Sequence, residues 1–239
     1  MAVTGRARPR RDLVMQGSPA WPEISAVLSD GAVSVEVLPV DPAAGERCLR
    51  RIGATADSWL GAMALHTGGA LVDNGWLRVY GGGCPQRRMP DLASANPDPE
   101  AAGHLLVGAD VLGGRYVIRG RDPEPTESTV DSVVLPGQPG EICYLGPDTL
   151  RWEPLSWAYR DWLSLLVGGA IVDFYHDLRW PGWEAEVSAV PPDRLLSLYP
   201  PVYTKEGRAR LADSEREAVG ADELYGLLDE LTAERAARA

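Results

Sequence analysis

The stretch ALVDNGWLRVY, residues 70–80, contains the strongest fold signal in this sequence. Two apolar runs flank Asp73-Asn74-Gly75, and an Asn-Gly pair between such runs is typical of a tight β-hairpin turn, because both residue types tolerate positive φ. The stretch therefore predicts two antiparallel strands joined by a turn. Gly81 to Gly83 follow directly and end the second strand.

The same pattern recurs twice downstream. Apolar runs at 104–108 and 115–119 are joined through Gly113-Gly114, and runs at 141–145 and 150–154 flank a Gly-Pro-Asp-Thr turn. Consecutive hairpins without intervening helices predict an antiparallel meander. They argue against a doubly wound nucleotide-binding fold, in which helices alternate with parallel strands.

Helical patterns occur on both sides of this meander. Apolar residues recur at helical spacing and are bounded by capping residues, prolines or glycines. The predicted helices are 22–28, one starting at Asp41-Pro42, 57–66, 157–167 with Ser156 as N-cap, 170–180, 183–190 and 221–238. We therefore predict an α+β fold, with a mainly antiparallel meander sheet flanked by helices and a helical C-terminal third.

The chain divides into three predicted parts: a flexible basic leader at 1–19, a single α+β domain at 20–205, and a C-terminal helical extension at 206–239 that packs on it. Four arginines precede the first acidic residue of the leader, Asp12. Such a segment is an RNA-contacting arm, half of a targeting peptide, or a solvated terminus. We favour a solvated terminus because no apolar block follows. The Pro-rich acidic segment 122–139 predicts an exposed loop, and 84–103 an ordered surface loop.

Composition limits the class of protein further. With 239 residues, 45% hydrophobic and 24% charged, the chain has enough apolar material for a full core. Its 34 acidic residues exceed its 23 basic ones and give a net charge of −11, which disfavours nucleic acid and anionic membranes as partners. The sequence lacks a secretory signal and a membrane-length apolar run, so we expect a cytoplasmic protein with no membrane partner. The oligomeric state is left open.

The residue types that carry most enzyme chemistry are scattered. The three cysteines, Cys48, Cys84 and Cys143, contain no CxxC pair, and the three histidines have no metal-ligand spacing, so we predict neither a metal nor a cofactor. The glycine clusters lack the helix start of a phosphate loop, and no GxSxG motif occurs.

Two weaker catalytic hypotheses remain open. Cys84 with His66 or His104 has the composition of a thiol nucleophile and its base, although an unreactive thiol at a loop edge is the simpler interpretation. Paired carboxylates are the second hypothesis, although most of the candidates lie near predicted turns, where Asp caps its own backbone. These candidates are Asp73, Asp110, Asp148 and Asp173.

The aromatic residues are the more informative feature. The chain has eight Trp and one Phe, and five of the Trp fall between 152 and 183. This cluster is either a binding groove or the packing seam between the last strand pair and the C-terminal helices, and we favour the seam. Six residues are the candidates for binding a ligand or partner: His66, Asp73, Asn74, Trp76, Trp157 and Trp180.

Several phrases, in order from about residue 20 to 230, resemble an uncharacterised bacterial family, the domain of unknown function 2625. They are VEVLP at 35–39, HTGG at 66–69, DNGWLRVYG at 73–81, GPDTL at 146–150, WEPL at 152–155, FY at 174–175 with LRW at 178–180, and YP at 199–200 with TKE at 204–206. The family has no agreed activity, so the resemblance carries over no catalytic residue. The leader and the 122–139 loop lie outside it.

More distantly, the order of helix, meander and Trp-rich helix after Trp152-Glu153-Pro154-Leu155 is similar to the SUKH superfamily, which includes bacterial immunity proteins that neutralise toxins. This resemblance implies an antitoxin-like or scaffolding role, and an acidic surface suits a basic toxin. Our leading hypothesis is a non-enzymatic protein-binding module. The alternative is a small-ligand binder or enzyme with a pocket near His66, Asp73 and Trp76, and the third is an RNA-binding leader.

Overall fold

The computed structural model describes residues 19–121 and 135–238. The predictions for the basic leader, apart from its last residue, and for most of the 122–139 loop therefore lie outside the described residues.

Within that part of the chain, seven strands form one antiparallel sheet whose spatial order follows the sequence. The α+β class and the antiparallel meander are thus confirmed. At the turn of the first predicted hairpin, Asp73, Asn74 and Gly75 all have positive φ, at 52°, 58° and 82°. The strands are β1 (Val35–Leu38), β2 (Gly69–Val72), β3 (Leu77–Tyr80), β4 (His104–Asp110), β5 (Arg115–Arg119), β6 (Glu141–Leu145) and β7 (Trp152–Ala158).

The predicted helices around the sheet are present in part. Asp41 caps the second helix, with its Oδ1 accepting from the Ala44 N–H at 2.8 Å, and Ser58 caps the third, which begins at Trp59 rather than at residue 57. The helices are α1 (Trp21–Ser29), α2 (Pro42–Ile52), α3 (Trp59–His66), α4 (Pro99–Ala102), α5 (Tyr159–Leu165), α6 (Ile171–Phe174), α7 (Trp183–Ser188), α8 (Lys205–Ala209) and α9 (Ala221–Ala237).

The register of the sheet separates its side chains into two faces, because directly opposite residues in antiparallel strands point the same way. The helical face includes Tyr116 and Tyr144, which contact Trp162 and Phe174 at ring-centroid distances of 5.1 Å in both cases. The other face, which we call the arginine face, includes one row of paired residues across all seven strands. This row is Glu36, Leu71, Arg78, Ala109, Arg115, Leu145 and Trp152.

Two helix predictions after the sheet are wrong in detail. Trp157 was expected in a helix but lies in β7, since pairing with β6 continues until Ala158 faces Glu141. The helix expected at 170–180 is interrupted. A π-helical segment at 166–170 contains Gly169 with φ 110°, α6 ends at Phe174, and a 3-10 turn follows at 176–178.

A second sheet was not expected. Strands β8 (Arg194–Tyr199) and β9 (Glu215–Gly220) pair in antiparallel fashion, so the predicted helical extension from residue 206 also contains a strand. The Leu196 N–H donates to the Val111 carbonyl at 2.7 Å and attaches this pair to the end of the main sheet. Leu224 and Leu228 of α9 then pack with Leu150 and Leu195. The division into domains itself stays a prediction.

Among the described helices, none combines the length and the apolar character needed to cross a membrane.

Candidate functional site

A cleft of about 790 Å³ opens on the arginine face of the sheet. Side chains of β3, β4, β5 and β7 line its floor, the segment 90–102 forms one wall, and residues 192–193 with the start of α9 form the other. Its volume is that of a site for a small organic molecule. The 84–103 region, expected as a surface loop, therefore contributes a wall of this cleft.

Asn96 fixes the position of the first wall. Its Nδ2 donates to the carbonyls of Leu92 and Leu106, both at 2.8 Å, and its Oδ1 accepts from the Leu106 N–H at 2.7 Å. The amide thus occupies the hydrogen-bonding positions that a neighbouring strand would offer to β4. Because this wall is bonded to the sheet, the cleft is formed before any ligand arrives.

Arg115 is the central charged residue of the floor. Its guanidinium lies 5.0 Å from the ring centroid of Tyr225 and 5.7 Å from that of Trp152, and it forms an ion pair with Asp229 of α9. Its Nε is buried and has no hydrogen-bond partner among the described residues. The charge is therefore held by aromatic faces and one carboxylate, while one donor remains available.

Arg78 lies in the same row, two strands away, and is only 1% exposed. Neither Nη1 nor Nη2 has a hydrogen-bond partner within the part of the chain that the structure describes. Burial lowers the pKa of Arg78, and the groups that oppose this most strongly are Tyr225 and Tyr80, followed by Asp110 and Asp193. Burial of a guanidinium without partners is energetically unfavourable, so this residue requires a further explanation.

The two tyrosines line the cleft, and their hydroxyl oxygens are 3.5 Å apart. Burial raises the pKa of both. Both hydroxyls are therefore protonated near neutral pH and able to donate.

His104 and Asp193 complete the polar lining. Burial lowers the pKa of His104, more than the nearby Ala102 carbonyl raises it, so the imidazole is neutral near pH 7. Its Nδ1 makes no hydrogen bond to any described residue. Asp193 Oδ2 accepts from Arg88 Nη2 at 2.7 Å and from Arg88 Nε at 2.9 Å. The buried Oδ1 of Asp193 has no hydrogen-bond partner among the described residues. Native proteins satisfy nearly all buried polar groups, so these atoms indicate a place for a bound molecule.

Three of the predicted site residues come together elsewhere. Trp76 is fully buried, and its ring centroid is 5.8 Å from that of Trp180. The Arg179 guanidinium lies 5.1 Å from the Trp76 centroid and 4.3 Å from that of Trp183, and it binds the carboxylate of Asp73. These contacts join neighbours within the protein, as the packing-seam interpretation of the Trp cluster expects.

Of the other three, Asn74 lies beside the cluster, where its Nδ2 donates to Asp73 Oδ1 at 3.5 Å, whereas His66 and Trp157 lie elsewhere in the fold. His66 precedes β2 and stacks on Trp21 at 4.8 Å, whereas Asp73 follows the far end of the same strand. Asn74 is exposed, next to a small cavity of about 260 Å³, and its N–H donates to Ser34 Oγ at 2.9 Å. Trp157 is half-buried on β7, at the opposite edge of the sheet from β1. A binding role for the six residues stays a prediction.

The two catalytic hypotheses receive no support from the geometry. The buried Cys84 thiol approaches Gln86 Oε1 at 3.7 Å, and no histidine is bonded to it among the described residues. Asp110 is fully buried on the helical face, where Oδ2 accepts from Tyr144 at 2.6 Å and Tyr175 at 3.1 Å. Burial raises its pKa. Within the described part of the chain no group of three or more metal-ligating side chains is present.

Reasoning from the sequence missed the cleft because its lining residues are spread from Tyr80 to Tyr225. One local signal was available: Arg78 interrupts the otherwise apolar run WLRVY, where a charged residue at the centre of a strand is unusual.

Comparison with known proteins gives the relationship of the chain. The profile of one family, described as "Protein of unknown function DUF2625", matches residues 11–224. The chain is similar to the "Putative uncharacterized protein YbfG" of Escherichia coli (strain K12), with 32% identity over 206 residues, covering 85% of this chain and 89% of that protein. An uncharacterized protein of Haemophilus influenzae is 25% identical over 211 residues, covering 86% and 87%.

No solved structure matches the chain. The similarity to the SUKH superfamily is not among these findings and stays a prediction. The family profile spans most of the sequence, and the E. coli relative agrees with it over nearly the same length. The chain therefore belongs to the DUF2625 family, as the phrases quoted from its sequence predict.

Proposed function

We propose that this protein binds a small ring-containing molecule in the cleft on the arginine face. The observation that supports this is one cavity lined by three residues that each carry a buried polar atom without a partner among the described residues: Arg115 Nε, His104 Nδ1 and Asp193 Oδ1. Aromatic rings of Trp152 and Tyr225 stand beside them. Apolar walls with a few placed polar groups are the usual composition of a small-molecule site.

The lining also limits the chemistry of the ligand. Arg115 Nε offers a donor, Asp193 Oδ1 offers an acceptor, and neutral His104 offers either, depending on its tautomer. A matching molecule carries both hydrogen-bond donors and acceptors on a planar ring that stacks on Trp152 or Tyr225. This is the small-ligand alternative of the sequence analysis, located at a different site.

Two neighbouring alanines allow a matched test. Ala102 is exposed and lines the cleft, whereas Ala101 is exposed on the same short helix and does not line it. We would screen a chemically diverse set of ring compounds by ligand-observed NMR against the wild type, Ala102→Trp and Ala101→Trp. Compounds that bind the wild type and Ala101→Trp are expected to lose binding to Ala102→Trp. Equal binding to both variants, or no binding to the wild type, would contradict the proposal.

Protein binding remains the second candidate function. It is supported by two exposed apolar side chains, Leu165 (42%) and Val172 (45%), which flank the π-helical segment, and by the net charge of −11. Most of the Trp cluster is buried and is not accessible to a partner. An immunity-like role would therefore use the exposed Leu165 and Val172 surface. The sequence predicts a cytoplasmic protein, so the test is co-purification of a partner from the source cells. The Val172→Asp variant should no longer co-purify with this partner, whereas Leu227→Asp on α9 should still do so. Loss with both variants, or with neither, would contradict this surface.

A further inference from the structure

We propose that the ligand of the arginine-face cleft is an organic acid, and that its carboxylate or phosphate group binds between Arg78 and Arg115. This inference rests on the proposed binding function and adds the charge of the ligand and the place of its acidic end.

The backbone places the two arginines on either side of a small residue. Arg78 pairs with Ala109, and Ala109 pairs with Arg115, so the three side chains leave the sheet in one row. Two strand spacings separate the two arginine Cα atoms by about 10 Å. Ala109 and Arg78 are covered in this structure, at 0% and 1% exposure, whereas Arg115 lines the cleft. If the covering side chains move aside, two guanidinium groups at this separation can converge on one anion over the small Ala109 methyl group.

The carboxylates near Arg78 are directed to other groups or to water, and Asp193 uses only Oδ2 for its ion pair. Asp110 acts on Arg78 from the opposite face, where its oxygens accept four hydrogen bonds, from Tyr144, Tyr175 and the N–H groups of Leu112 and Gly114. On the cleft side Asp193 pairs with Arg88, Asp229 pairs with Arg115, and the cleft-lining Asp222 is exposed to water.

None of these carboxylates hydrogen-bonds the Arg78 guanidinium within the described part of the chain. A bound anion would supply the missing partner, and hydrogen bonds between charged groups are the strong ones.

Tyr80 and Tyr225 connect Arg78 to the cleft. The charges of Arg78 and Arg115 both act on each hydroxyl, the Tyr225 ring lies 5.0 Å from the Arg115 guanidinium, and both tyrosines line the cavity. Their mutual contact of 3.5 Å is at the long limit of a hydrogen bond. Separation of the two hydroxyls admits the acidic group to Arg78, and each hydroxyl then donates to an oxygen of the acid.

The test compares three probes that share one ring system: 2-naphthoate, 2-naphthyl phosphate and the neutral 2-naphthamide. Binding to wild type, Arg78→Gln, Arg78→Lys and the exposed control Arg151→Gln would be measured by calorimetry, with circular dichroism to confirm folding. We expect at least one acid to bind the wild type and Arg151→Gln about tenfold or more tightly than the amide. Arg78→Gln should remove this preference, and Arg78→Lys should keep part of it.

Equal binding of acid and amide, or an unchanged preference in Arg78→Gln, would overturn the inference. If Arg78→Gln does not fold, the wild type decides: its affinity for the acid must fall as salt concentration rises, and its affinity for the amide must not. If none of the three probes binds but ring compounds sensitive to Ala102→Trp do, the inference fails while the proposed function stands. If no compound binds the cleft, both fail.

Discussion

Asp110 shows how a buried carboxylate serves the fold. Its Oδ1 accepts from the N–H groups of Leu112 and Gly114, both at 2.9 Å, and a Cβ at Gly114 would overlap its Oδ2. Asp110→Ala leaves these two donors and two tyrosine hydroxyls without their acceptor, so we expect a loss of about 3–5 kcal/mol in the free energy of unfolding. Urea denaturation measures this loss. The exposed Asp173→Ala should change stability little, and a loss below about 1 kcal/mol for Asp110→Ala would contradict the structural role.

His104 gives a pH dependence with a defined sign. Burial lowers its pKa, and that of His66, in the folded state. The unfolded chain therefore binds more protons just below the usual histidine pKa of about 6.5, and stability falls as the pH drops through that value. His104→Gln should lose less stability than the wild type between about pH 7.5 and about pH 5.5 in urea denaturation.

The exposed Gln138→Ala, which changes no titratable group, is the control for this measurement and should retain the wild-type slope. A His104→Gln slope equal to that of the wild type would contradict the desolvation of His104.

At the scale of elements, the wall 90–102 depends on one side chain. Asn96→Ala removes three hydrogen bonds that join this segment to itself and to β4, and we expect a loss of about 2–3 kcal/mol. Hydrogen exchange of the Leu106 amide should become faster, and ligands of the cleft should bind more weakly. The exposed Gln138→Ala is the control. Unchanged exchange at Leu106 in Asn96→Ala would show that the wall is held in another way.

The elements that the sequence predicts well are those specified by local chemistry. The Asp73-Asn74-Gly75 turn needs positive φ, and the Asp41 cap needs only a donor three residues away, so both follow from neighbours in sequence. Strand β7 and the helix after it depend on pairing with β6, and therefore their boundary at Ala158 was misplaced. Strand β9, with the sequence EREAVG, lacks apolar alternation and is specified by its partner β8.

The candidate site was beyond local reasoning because it belongs to the whole molecule. Arg78 and Arg115 lie on the same face of the sheet because the register of β3, β4 and β5 places them in one row. Tyr225 lies beside Arg115 because α9 packs against the rest of the protein. The predicted Asp73, Trp76 and Trp180 do lie together, but Arg179 joins them through contacts within the protein. Residues that are close in sequence therefore predicted an internally packed cluster. The cleft is visible only in the tertiary structure, because its lining residues are far apart in sequence.

At the same scale, the two locations differ in the space beside their buried polar groups. The Asp73 cluster contains buried donors without partners among the described residues, Trp76 Nε1 and Arg179 Nε, but its ion pair and rings pack against each other. At the cleft, donors of Arg78 and Arg115 and an acceptor of Asp193 also lack partners among the described residues, and a cavity of about 790 Å³ lies beside Arg115 and Asp193. We therefore expect ligands to bind at the cleft and not at the Asp73 cluster.

The most direct measurement is a two-dimensional ¹⁵N NMR titration of the wild type with 2-naphthoate, which observes indole and arginine side-chain N–H groups. We predict that the Trp152 indole and Arg115 Nε–H signals shift with ligand concentration, while the Trp76 and Trp180 indole signals stay in place. Shifts at Trp76 and Trp180 with none at Trp152 and Arg115 would contradict the account.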